Sequence, residues 1–167
     1  MRNRKSRAAA ALMAVASAVA VGLALPAASA LAAGTHGGHH AGEASAIGEP
    51  GKAASASRTI QVDMTDNMRF SPADIQVKAG ETIRFVVRNA GQIRHEMVLG
   101  TEADLKAHYA EMLKMPEMEH ADPNAVTLEA GQRGELVWRF TRSGRVDFAC
   151  LQPGHYDAGM RGQVGVH

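Results

Sequence analysis

The segment Cys150-Leu151-Gln152-Pro153-Gly154-His155-Tyr156-Asp157-Ala158-Gly159-Met160 puts a thiol, an imidazole and a thioether within eleven residues. A second imidazole, His95, lies far upstream. Two imidazoles, one thiolate and one long axial thioether are the donor set of a type 1 copper site, and they bind both oxidation states in a near-trigonal plane. One geometry that serves Cu(I) and Cu(II) leaves little to move when an electron passes. The expected metal ligands are therefore His95, Cys150, His155 and Met160, holding one type 1 copper per chain.

Two other chemistries use some of the same residues. A Cys–His nucleophile needs the imidazole beside the thiol and a third group to orient it. Only Asp157 stands near enough in sequence to orient His155, and Met160 contributes nothing to such a site. Structural zinc prefers more thiolates and seldom takes a thioether. Cys150 is the sole cysteine, so no internal disulfide can hold it. In an oxidising compartment a lone thiol calls for another chain, a reactive role or a metal.

The elements that must position these groups show a period of two. Ile60, Val62 and Met64 alternate with polar neighbours, as do Ile75 and Val77, then Ile83, Phe85 and Val87. Leu136, Trp138 and Phe140 repeat the pattern, followed by Val146, Phe148 and Cys150, and by Val164 and Val166. Turns at Ala79-Gly80-Glu81, Ala90-Gly91-Gln92, Ala130-Gly131-Gln132 and Ser143-Gly144 separate the runs. Short alternating strands with glycine turns predict an all-β, two-sheet β-sandwich. Cys150 then ends a strand with its side chain inward, and Pro153-Gly154 lets the following loop turn back. His95 shares a face with Met97 and Leu99, so it can meet the loop at one end of the sandwich. One segment departs from this pattern. Thr101 to Met115 reads as a short helical insertion, capped by Thr101, with Glu102 and Asp104 in its first turn and Pro116 after it.

The ends of the chain are different in kind. Arg2, Arg4, Lys5 and Arg7 precede an uncharged run from Ala8 to Leu25, and Ala28-Ser29-Ala30 offers a small-residue cleavage site. Residues 1–32 are expected to be a secretory signal peptide cut near 30–33, rather than a membrane anchor, because the run is short and alanine-rich. Residues 33–57 read as a flexible tether containing His36, His39 and His40. The folded domain is expected over 58–167. Four of the 18 Lys+Arg fall in the first segment, leaving 14 against 17 Asp+Glu, a net of −3. That charge argues against a nucleic-acid partner.

Several segments resemble the cupredoxins, the plastocyanin/azurin family of small blue copper proteins, and among them the periplasmic copper-tolerance cupredoxins of the CopI-like group. They are Phe70-Ser71-Pro72 with Ile75 to Glu81, His95-Glu96-Met97, Met118 to Asn124, and Phe148 through Met160. The resemblance covers residues 58–167 and implies a cupredoxin-like Greek-key β-sandwich. It implies His95, Cys150 and His155 as equatorial ligands and Met160 as the axial one. It also implies that the His155 ring edge is the electron port, within an apolar patch of Gly154, Tyr156, Ala158 and Gly159. Many cupredoxins have Asn after the first histidine, tying the two ligand loops together; here Glu96 stands there, which puts the hydrogen bonding around the sulfur in question.

Two further clusters carry soft donors. His36, His39 and His40 could bind copper weakly. Met112, Met115, Met118 and His120 could form a Cu(I) site, although Met112 falls on the same helical face as Leu105 and suits packing equally. The functional expectation is a periplasmic copper protein, not an enzyme, likened to an electron carrier or a copper-tolerance factor. Its partner would be a periplasmic cytochrome or a copper-handling protein, and the chain is expected to be monomeric and not embedded in a membrane. The alternative is copper storage or delivery with incidental redox activity.

Overall fold

The computed structural model describes residues 46–116 and 121–167. The expected signal peptide, the histidines His36, His39 and His40, and Met118 and His120 lie outside these residues.

Among the described residues ten strands form two sheets: β1 (Glu49–Pro50), β2 (Arg58–Thr65), β3 (Arg69–Ser71), β4 (Asp74–Val77), β5 (Thr82–Asn89), β6 (His95–Gly100), β7 (Ala125–Leu128), β8 (Arg133–Arg139), β9 (Gly144–Ala149) and β10 (Arg161–Val166). One sheet has the order β1-β8-β5-β2-β3 and the other β4-β10-β9-β6-β7. β2 runs parallel to β5, and β4 to β10, while the other pairs are antiparallel. This is the expected Greek-key β-sandwich. The alternating residues face each other across it: Val62, Met64, Ile83, Phe85, Val87, Trp138, Phe140, Phe148 and Val164 are fully buried in one cluster. Phe70 and Phe148 meet edge-on at 5.0 Å, a preferred aromatic arrangement.

The period-two reading passes over three short strands, β1, β3 and β7. The fold also begins before the expected boundary at Arg58. Ile47 is buried, its carbonyl accepts the indole N–H of Trp138 at 2.9 Å, and Glu49 and Pro50 pair with Arg139 and Trp138. The end of the expected tether is thus the first strap of the sandwich, because Trp138 needs an acceptor once it is buried. Burying a side chain of the size of Ile47 contributes about 1.5–3 kcal/mol, which a Gly/Ala/Ser-rich reading of the segment underrates.

The helical insertion, α1, spans Glu102–Met112, shorter than the expected 101–115. The Thr101 hydroxyl caps it by accepting the Asp104 backbone N–H at 3.2 Å. Leu105, Tyr109 and Met112 are buried and pack with Val98, Ala149, Leu151 and Tyr156 in a second cluster on the outer face of the β6–β9 sheet. Every residue of β6 is therefore buried: Met97 and Leu99 face the sandwich core, and Val98 faces the helix. Gly100 has no side chain because a Cβ there would lie 2.8 Å from Leu105 Cγ. No described helix is long and apolar enough to cross a membrane.

Candidate metal centre

His95 opens β6, Cys150 follows β9, and His155 sits in the loop from β9 to β10. One donor atom from each lies within 4.8 Å of the others. His95 Nδ1 is 3.2 Å from His155 Nδ1, and Cys150 Sγ is 3.3 Å from His155 Nδ1. Met160 is completely buried in the same core cluster as Cys150. The loop closes on itself, since the Cys150 N–H donates to the Met160 carbonyl at 3.1 Å and the Met160 N–H to the His155 carbonyl at 3.0 Å. Gly154 takes φ +84, a left-handed conformation that turns the chain just before His155.

The electrostatics suit a cation. Burial pushes the Cys150 thiol up to about 12, opposed by the backbone N–H groups of Glu96 and Gln152 and reinforced by the Glu96 carboxylate. A thiolate there needs a positive partner. Burial, and then repulsion from His95, holds the His155 imidazole below its ordinary value, so it is available as a neutral ligand. One buried sulfur and two imidazole nitrogens with converging donor atoms fit copper by the softness of the set.

Glu96 replaces the expected asparagine and keeps the two ligand loops tied. Its backbone N–H points to Cys150 Sγ at 3.4 Å, and its carboxylate accepts the Leu151 N–H at 2.9 Å and the Thr127 hydroxyl at 3.3 Å. The loop is also held from the helix. Tyr109 Oη accepts the Gly154 N–H at 3.0 Å and donates to Asp157 at 2.9 Å, while its ring stacks on Tyr156 at 5.1 Å. From the opposite side Arg69 donates to the Ala158 carbonyl at 3.0 Å.

Two groups behind His95 were not singled out by the sequence reading. Asp66, in the β2–β3 turn, lies 3.0 Å from His95 Nε2. Asn89, fully buried, donates to the carbonyls of Ile93 and Leu128 and accepts the Gly91 N–H, so it braces the loop leading to His95. A turn signal at Asp66-Asn67 was available in the sequence, but nothing in it said which way the carboxylate points.

Tyr156 does not join a surface patch around His155. It is buried under α1, with the Arg161 guanidinium 4.9 Å from its ring centre. Gly154 and Ala158 are exposed as expected, and Ile93, 44% exposed, lies in the loop before His95. Of the methionine cluster, Met112 and Met115 are among the described residues: Met112 is buried with Leu105 and Tyr109, and Met115 is 48% exposed beyond the helix.

A Cys–His–His donor set, buried at Cys150 and His95 and partly exposed at His155, on a Greek-key sandwich defines a small copper-binding β-protein. The family profile of copper-binding proteins, plastocyanin/azurin family, matches residues 56–167, and the chain belongs to that family. It is 58% identical over 132 residues to the copper-resistant cuproprotein CopI of Rubrivivax gelatinosus, covering 78% of this chain and 80% of that one. It is 42% identical over 150 residues to the copper-resistant cuproprotein CopI of Pseudomonas aeruginosa, covering 72% and 82%. Among solved structures it is similar to dithionite-reduced auracyanin from Roseiflexus castenholzii, with TM-score 0.56, 26% identity, and coverage of 67% of this chain and 98% of that one.

Proposed function

We propose that this is an exported type 1 copper protein that cycles between Cu(I) and Cu(II), carrying electrons, contributing to copper tolerance, or both. The observation that carries the reading is the convergence of donor atoms of His95, Cys150 and His155 within 4.8 Å, with Cys150 and His95 buried and His155 partly exposed. His95, Cys150, His155 and Met160 would hold the copper. Bound copper would supply a one-electron couple. The chain's own residues hold the donors still: Glu96 ties β6 to the Cys150 strand end, Tyr109 and Arg69 clamp the loop, and Asp66 backs His95. His155, partly exposed, offers the shortest route to a partner such as a periplasmic cytochrome or a copper-handling protein. Export is supported by the basic and apolar pattern of residues 1–32, and tolerance by the names of the CopI relatives. No residue is assigned a catalytic role.

The test is copper titration of the purified protein beside Cys150→Ser. The parent should take one copper per chain and develop an intense visible sulfur-to-copper band, and the variant should lose it. A variant that keeps the band refutes the ligand assignment.

A further inference from the structure

Asp66 uses both oxygens of its carboxylate. Oδ2 accepts the Gln92 backbone N–H at 2.7 Å, and Oδ1 lies 3.0 Å from His95 Nε2. Rotation of the carboxylate loses one of the two. The β5–β6 loop is shaped around it: a Cβ on Gly91 would stand 1.9 Å from Asp66 Oδ1 and 2.7 Å from Cγ, so only glycine lets the loop close. Asn89 fixes the same loop through Gly91, Ile93 and Leu128. The other imidazole nitrogen of His95, Nδ1, faces His155 and the thiol side of the site. A carboxylate can only accept, so Nε2 carries the proton and Nδ1 presents its lone pair.

We propose that Asp66 is a positioning residue for the copper centre: by accepting from His95 Nε2–H it fixes the ligating tautomer, raises the basicity of Nδ1 and favours Cu(II) over Cu(I). The inference rests on the copper reading above. Carboxylates in this relation to a ligating histidine set both ring orientation and donor strength, and their loss costs about 10–100-fold in metal affinity. The charge on Asp66 acts through the ring toward the metal and stabilises the more positive oxidation state more.

The experiment compares the full chain with Asp66→Asn, Gly91→Ala and, as a control, Asp63→Asn, whose carboxylate pairs with Arg88 at 3.8 Å. Cu(II) and Cu(I) affinities are read by chelator competition and the reduction potential by spectroelectrochemistry. Asp66→Asn keeps an acceptor for Gln92 and should weaken Cu(II) about tenfold more than Cu(I). That ratio corresponds to a rise in potential of about 59 mV for one electron. Gly91→Ala keeps the charge but displaces the oxygen, and should weaken Cu(II) in the same direction. Asp63→Asn should change neither quantity. Unshifted potential and affinity in Asp66→Asn, or an equal shift in Asp63→Asn, overturns the role of Asp66 while leaving the centre intact. A parent protein with no visible copper band overturns the copper reading and the inference with it.

Discussion

Glu96 is the place where the sequence departs from the expected ligand-loop tie, and the structure makes its contribution measurable. The carboxylate is buried, 7% exposed, and accepts from Leu151 N–H at 2.9 Å and from the Thr127 hydroxyl at 3.3 Å. Glu96→Ala removes the acceptor and leaves the Leu151 N–H, the first amide after Cys150, buried without a partner. A buried donor left unpaired costs about 1–3 kcal/mol, and a hydrogen bond to a charged group contributes about 1.5–3 kcal/mol. These overlap, since both describe the same bond, so the expected loss is about 2–3 kcal/mol. Glu96→Gln keeps an oxygen in place but loses the charge, which roughly halves such a bond and predicts a loss near 1 kcal/mol. Denaturant unfolding of the metal-free protein reads both. The charge has a second readout. The Glu96 carboxylate helps burial hold the Cys150 thiol up at about 12, so Glu96→Gln should lower the pH at which the thiol becomes reactive to an alkylating reagent. Should Glu96→Ala unfold within about 0.5 kcal/mol of the parent, the range of an ordinary surface substitution, the tie carries no load and the reasoning is refuted.

Three further outcomes follow from the geometry and electrostatics of the site. Tyr109→Phe keeps the stack on Tyr156 but removes the hydroxyl shared by Gly154 N–H and Asp157, so we expect a loss of about 1–2 kcal/mol and faster copper release, read by denaturation and by stopped-flow chelation. For Cys150, the raised folded-state value means that the unfolded chain gives up its thiol proton first as pH rises from the ordinary 9.0 toward 12. Metal-free stability contributed by the neutral thiol is therefore intact below about pH 9 and falls by about 4 kcal/mol toward pH 12, at about 1.36 kcal/mol per pKa unit. At neutral pH copper uptake should release about one proton, from the thiol, because His155 is already neutral; a pH-stat trace with no release would exclude thiolate ligation.

The ligand loop was legible because its donors are close in sequence and Cys150 continues an inward strand face. His95 was legible for the same reason, sharing its alternation with Met97 and Leu99. The short strands were not. β3 is three residues long, too brief for a period to emerge, β7 buries its residues without alternation, and β1 is ordered by the indole of Trp138 from 91 residues away. Asp66, Asn89 and Tyr109 were missed as parts of the site because each reaches it across the fold. The hydrogen bonds that matter, Asp66 to His95 and Tyr109 to Gly154, span 29 and 45 residues. The apolar patch was misjudged at Tyr156 because the helical insertion, visible as an insertion, gave no sign of which surface it covers.

That insertion changes what β6 can do. In a sandwich with one solvated outer face, the residue after His95 would point to water, and a carboxylate there would form a weak, screened bond. Here α1 and the second cluster cover that face, so Met97 and Leu99 of β6 serve the core and His95 faces the donor cluster, while Glu96 on the other side works in a dry environment. The Cys150 strand end repeats the division: Cys150 and Met160 lie in the inner cluster, and Leu151 and Tyr156 in the outer one. The loop is thus gripped through both faces of the sheet, by core packing within and by Glu96 and Tyr109 without. Side chains held by low-dielectric hydrogen bonds on two sides resist displacement more than those held on one. A donor set that moves little favours a centre whose two oxidation states share one geometry, and it disfavours easy surrender of the ion. If the centre holds copper as proposed, this grip would favour electron passage over cargo release, and a copper off-rate that is slow in the parent but accelerates in both Glu96→Ala and Tyr109→Phe is the outcome that proposal requires.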